Sequence, residues 1–161
     1  MGTPAARGLV LVVDDDVDIR ETIGMILEDE GYTVACACNG LEALQYLREH
    51  DAPNLILLDL MMPVMDGAEF CGHQRQDPRL AEIPVVIVSA SGQAMQQAAV
   101  LNAKALISKP LALDTLLEKV EQCSVPAAPR AATESGAPRA PAAPTNPASA
   151  PAPSPAAREK R

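Results

Sequence analysis

Five short apolar runs recur along the chain: LVLVV at Leu9–Val13, YTVACA at Tyr32–Ala37, LILL at Leu55–Leu58, VVIV at Val85–Val88 and ALI at Ala105–Ile107. A strand with one wet face alternates apolar and polar residues. Continuous runs of this length predict strands covered on both faces, as in a parallel sheet. Helix-period segments lie between them. Ile19, Ile23, Ile26 and Leu27 form one stripe, acids crowd the front of that segment, and Gly31 is placed to end it in a left-handed cap. Ala43, Leu44 and Leu47 mark a second helix, closing before Pro53. A weaker third runs from Gly67 to Gln76, and a fourth, rich in Ala and Gln, from Gln93 to Leu101. Leu113, Leu116, Leu117 and Val120 mark a fifth, opened by Asp114 or by the preceding Pro110. Strand and helix alternating five times predict an α/β fold: a doubly wound five-stranded parallel sheet with helices on both faces.

The pattern stops after Cys123. The 38 residues from Ser124 hold 9 Pro and 13 Ala and no apolar periodicity, which predicts a disordered, partly polyproline tail. The expected organisation is an extension at 1–7, a domain at 8–123 and the tail at 124–161. The tail reads equally as a tether or as an extension without a role. Up to Cys123 there are 19 acids against 8 bases, a net charge of −11; from Ser124 on there are 2 acids against 5 bases. A domain this acidic repels phosphate, so nucleic acid is not an expected partner. Cys36 and Cys38 are spaced C-x-C, and Cys71 and Cys123 stand alone, which fits reduced thiols in a cytoplasmic protein. No apolar run reaches the roughly 18 residues of a membrane span, and no apolar signal core precedes the first strand. No membrane association is expected.

In a doubly wound sheet, chemistry collects at the carboxyl ends of the strands. There the sequence places Asp14, Asp15 and Asp16 after the first strand, Asp59 after the third, Ser89 after the fourth and Lys109-Pro110 after the fifth. Converging carboxylates repel one another unless something positive intervenes. A hard divalent cation such as Mg²⁺ would resolve this, keeping waters for exchange with a phosphate. Lys109 supplies a point charge for an anion, and Ser89 a hydroxyl for a phosphoryl oxygen. The set suits phosphoryl transfer with Asp59 as nucleophile. The Met61-Met62-Pro63 turn lets the chain leave the site, with Met62 read as packing, and Asp66-Gly67 supplies the conformations that start the next helix.

At these residues the chain resembles the receiver domain of two-component response regulators. LVLVVDDDVDIRETI, LILLDLMMPVMDG, PVVIVSASG and LISKPL carry the resemblance, in order, across roughly residues 8 to 122. It implies a flavodoxin-like receiver fold, with Asp59 as phosphoacceptor in a domain that catalyses its own phosphorylation and dephosphorylation. It further implies Asp14 and Asp15 as the acidic pair, Asp15 binding Mg²⁺ directly and Asp14 largely through water. The backbone carbonyl of Met61 matches the third protein ligand. Lys109 matches the phosphate-contacting lysine, with a cis bond to Pro110, Ser89 the switch hydroxyl, and Asp16 falls outside the site. Leu106 stands where the family has Tyr or Phe, an aromatic that turns inward when the hydroxyl engages the phosphoryl group. That departure puts coupling to the outer face in question. Asn102 stands where Gly is usual, a milder change because Asn tolerates left-handed backbone. Met61 and Ser91 sit where the family tunes access of water, and an apolar Met should hinder it.

The resemblance implies a sensor histidine kinase or histidine phosphotransfer protein as phosphodonor. The output would be binding of a downstream protein, or onward transfer in a phosphorelay. No output domain follows within the 161 residues, so a stand-alone response regulator is expected, as a monomer or weak dimer. Leu106 and that same lack also support an alternative, a phosphorylation-independent scaffold. A metal-dependent phosphatase would need a second acid two residues after the nucleophile, where Met61 transfers no proton.

Overall fold

Five strands, β1 (Leu9–Val13), β2 (Thr33–Ala37), β3 (Leu55–Asp59), β4 (Val85–Ser89) and β5 (Ala105–Ser108), pair in parallel in the order β2-β1-β3-β4-β5. The structure, a computed structural model, describes residues 6–125. The tail expected at 124–161 therefore lies outside the described residues from 126 on, as do the first five residues of the expected extension. Five helices alternate with the strands: α1 (Val17–Asp29), α2 (Gly40–Glu49), α3 (Gly67–Gln76), α4 (Ala94–Val100) and α5 (Leu113–Cys123). Among the described residues, no helix is long and apolar enough to cross a membrane.

Both faces of the central strands are buried, which is why their runs carry no polar alternation. Leu11, Val13, Ile56, Leu58 and Ile87 face α2, α3 and α4 through Leu44, Leu47, Phe70 and Ala98. Val10, Val12, Leu55, Leu57 and Val86 face α1 and α5 through Ile23, Leu27, Leu116 and Val120. Successive residues of one strand thus feed two separate cores, as a period of two requires. All four cysteines are free thiols, and burial pushes Cys71 up to about 11.

Helix boundaries follow local chemistry. Asp16 caps α1, accepting from the N–H groups of Asp18 and Ile19, and Gly31 takes φ 93° just past the helix. Asp66 and Glu69 form a reciprocal capping box at the start of α3. Gln93 is the N-cap of α4 rather than its first residue, and Asn102 adopts φ 57° after it. One expectation fails at α5. Neither Asp114 nor Pro110 opens it: Ala112 is the N-cap, without a side-chain hydrogen bond, and Asp114 lies in the first turn. There the acid favours the helix dipole rather than closing an N–H group.

The base of the sheet is closed by polar side chains. Asn54 accepts from the Leu9 N–H at 2.7 Å and donates to the Val125 carbonyl at 2.8 Å, tying both flanks of the domain to β3. The buried Gln74 amide donates to the carbonyls of Leu80 and Ile83, each at 2.9 Å. That holds the loop between α3 and β4 against the core.

Candidate phosphoryl-transfer site

The site sits at the carboxyl edge of the sheet and is built from strand ends. Asp14 follows β1 and is 2% exposed. Its N–H donates to the Ala37 carbonyl at 3.1 Å, and its Oδ1 accepts from the Asp16 N–H at 2.9 Å. Its Oδ2 accepts from Lys109 Nζ at 3.0 Å. Asp59 ends β3 and is 5% exposed. Its Oδ1 accepts from the Met61 N–H at 3.2 Å, and its Oδ2 faces Lys109 Nζ at 3.4 Å. One ammonium therefore bridges two buried carboxylates drawn from strands β1 and β3.

Lys109 follows β5, and its peptide bond to Pro110 is cis, as the resemblance implied. Its backbone N–H donates to the Ser89 carbonyl at 3.0 Å, which ties the β5 exit to the β4 exit. Ser89 is buried, and its Oγ accepts from the Ser91 N–H at 3.2 Å, leaving the hydroxyl proton to donate elsewhere. Asp15 is exposed beside the pair, while Asp16 is engaged as the α1 cap. Met61 is 71% exposed and Met62 is buried in the core, so the two methionines divide into rim and packing.

Burial raises Asp59 above its ordinary value of 3.8, and the charge of Asp14 adds to the rise; the Met61 N–H and Lys109 pull the other way without cancelling it. For Lys109 burial lowers the value, but the Asp14 hydrogen bond and the two carboxylate charges prevail and hold it above 10.5.

Carboxylate oxygens of Asp14, Asp15 and Asp59 lie within 4.8 Å of one another. Three hard oxygen donors this close fit a hard divalent cation. Both Asp14 oxygens already accept a hydrogen bond, whereas Asp15 stands in solvent beside them.

Three features of the site are not readable from strand ends alone. Gly67 is there for space: a Cβ would come within 2.6 Å of the Asp59 carbonyl oxygen and 2.9 Å of Leu60 Cα. Asp66 starts α3 as its cap, in line with the expectation, whereas Gly67 serves a close backbone approach rather than conformational freedom. Val64, between Met62 and Asp66 in the loop, takes φ 70°, and the Met65 N–H donates to the Pro63 carbonyl at 2.8 Å, closing a three-residue γ-turn. Arg20 reaches back from α1, and its Nη1 donates to the Asp14 carbonyl at 2.5 Å. The only signal for Arg20 was a base in an acid-rich first stretch of helix, six residues after Asp14. Leu106 is half-buried, packed against the α2–α4 core and paired across from Ile87.

The family model of the response regulator receiver domain matches residues 10–121. Response regulator MprA of Mycobacterium ulcerans is 37% identical over 113 residues, 69% of this chain and 47% of that one. The DNA-binding dual master transcriptional regulator RpaA of Synechocystis is 35% identical over 113 residues, 69% of this chain and 46% of that one. The chain thus spans about half the length of these relatives. The chemotaxis protein CheY4 of Vibrio cholerae superposes with a TM-score of 0.67 at 31% identity, covering 73% of this chain and 99% of that one. The acid cluster at the carboxyl edge, the strand order and the match over residues 10–121 agree, and the chain belongs to the response regulator receiver domain family.

Proposed function

We propose that Asp59 accepts a phosphoryl group from a phosphohistidine of a sensor kinase or histidine phosphotransfer protein, and that the acyl phosphate changes which protein this domain binds or donates to. The Lys109 bridge between Asp14 and Asp59 carries this reading. An Asp59 oxygen attacks phosphorus, the P–N bond breaks, and the imidazole leaves with its electron pair, forming an acyl phosphate on Asp59. Rigid strand β3 presents the carboxylate at a fixed point, so little reorganisation accompanies attack. Lys109, already between the two acids, exchanges the Asp59 oxygen for a phosphoryl oxygen. The Ser89 hydroxyl donates to a second phosphoryl oxygen. Asp14, Asp15, Asp59 and the Met61 carbonyl would hold Mg²⁺, which when bound neutralises charge on the transferring oxygens.

An apolar groove lined by Ile19, Thr22, Pro110 and Leu111 runs beside Lys109 and supports docking of the phosphodonor there. A sensor kinase of this kind would meet the domain in the cytoplasm, which is the setting proposed. The receiver's acidity argues against nucleic acid as its own partner, although RpaA is named as DNA-binding.

Leu106 favours a second reading, the phosphorylation-independent scaffold, since a half-buried aliphatic offers no ring to swing. Partner affinity identical with and without phosphodonor would select it. For the main reading, the full chain is incubated with Mg²⁺ and a small acyl phosphate, and its intact mass is read. We expect one added phosphoryl group on wild type and none on Asp59→Asn; labelling of both alike would remove Asp59 as acceptor.

A further inference from the structure

Resting on the reading of the acid cluster as a cation site, we infer that Arg20 is a positioning residue, which sets the direction of Asp15 by gripping the peptide that precedes it. The carbonyl Arg20 holds belongs to the Asp14–Asp15 peptide. That unit is planar, so fixing its oxygen fixes the plane from which the Asp15 Cα departs. The other end of the residue is fixed as well: the Asp14 N–H is bound by the Ala37 carbonyl, and both side-chain oxygens are bound by Asp16 and Lys109. Arg20 supplies the restraint on the Asp14 carbonyl itself. The acceptor lies on a residue that is 2% exposed, so water is a poor replacement donor.

Arg20 is itself anchored. Its backbone N–H donates to the Asp16 carbonyl at 3.0 Å in the first turn of α1, and Asp16 caps that helix. Cap, turn and guanidinium close a ring through which α1 holds the loop bearing Asp14 and Asp15. Arg20 is half-buried rather than fully out in solvent. Arg20 touches neither the acceptor oxygen nor the proposed ligand atoms, so it acts through Asp14 and Asp15.

Two physical roles give opposite signs. If Arg20 acted only as a nearby positive charge, removing it would tighten binding of a cation to the acids. If it positions Asp15, removing it scatters a ligand and weakens binding; outer contacts of metal ligands are typically worth about 10–100-fold in affinity. The experiment is a calorimetric Mg²⁺ titration of the full chain as wild type, Arg20→Met, Arg20→Lys and Asp15→Asn, with a thermal melt without Mg²⁺ to verify folding. We expect Arg20→Met to bind Mg²⁺ at least about 10-fold more weakly, and Arg20→Lys, with one donor group left, to fall between it and wild type. Should Arg20→Met fail to fold, Arg20→Lys carries the test, and affinity equal to or tighter than wild type overturns the inference. Wild type that binds while Arg20→Met binds equally or more tightly overturns the positioning role alone. Wild type that binds no Mg²⁺, like Asp15→Asn, overturns the reading of the site and this inference with it.

Discussion

Asp59 is poised between function and stability. Its folded value lies above the ordinary 3.8, chiefly through burial, so folding favours the protonated form. A group shifted in that direction contributes stability that is complete below its unfolded value and is lost as pH rises through the raised folded one. At neutral pH the ionised carboxylate is therefore a net cost, which an amide would not carry. We expect Asp59→Asn to melt a few degrees above wild type near pH 7, the gap closing as pH falls through the raised folded value toward 3.8. A lower midpoint for Asp59→Asn at neutral pH would contradict this. Lys109 acts in the other window: its folded value lies above 10.5, so the stability it lends persists to alkaline pH and fades as pH rises through that higher value. Residue identities at the site were readable because each acid or base stands within two residues of the end of an apolar run. Arg20 was not, because its contact crosses from a helix to a backbone carbonyl that no pattern marks.

The loop between β3 and α3 sets the site's geometry and carries its strain. Val64 is β-branched, 75% exposed and at φ 70°, a conformation such residues adopt only when their surroundings impose it. Replacing it with Asn, which tolerates left-handed backbone, should stabilise the fold by about 1 kcal/mol in urea unfolding, without altering the m value. Loss of stability would mean that the exposed Val64 side chain makes a contact worth more than the strain. Gly67→Ala tests the other end of the loop. Its Cβ would meet backbone on β3 at 2.6 Å, which cannot yield as a flexible side chain would. A destabilisation of about 2 kcal/mol or more is expected, together with slower phosphorylation because Asp59 is displaced. An unperturbed midpoint would show that the loop slides. Secondary structure was readable for the strands because burial on both faces leaves unbroken apolar runs. The γ-turn at Val64 and the uncapped start of α5 at Ala112 run against local preference, so the sequence carries no local mark of either.

At the scale of the whole domain, two cores flank one sheet, and the site lies on the sheet edge to which both contribute. Asp14 and Asp59 come from the neighbouring strands β1 and β3, while Lys109 and Ser89 arrive from β5 and β4 on one side. A phosphoryl group on Asp59 would draw Ser89 and Lys109 toward it, so strain would pass toward β4, α4 and β5, where Leu106 packs under the α2–α4 core. The topology was readable because five alternations with short connections leave few other ways to wind a parallel sheet. The output was not, since it depends on partners that a single chain does not encode. The central claim is that one carboxylate, Asp59, carries the phosphoryl group. The most direct measurement is borohydride reduction of the phosphorylated chain, which turns an acyl phosphate into an alcohol, followed by peptide mapping. Homoserine at position 59 and nowhere else is the expected result; homoserine at Asp14 or Asp15, or none in a chain that has gained a phosphoryl mass, would contradict it.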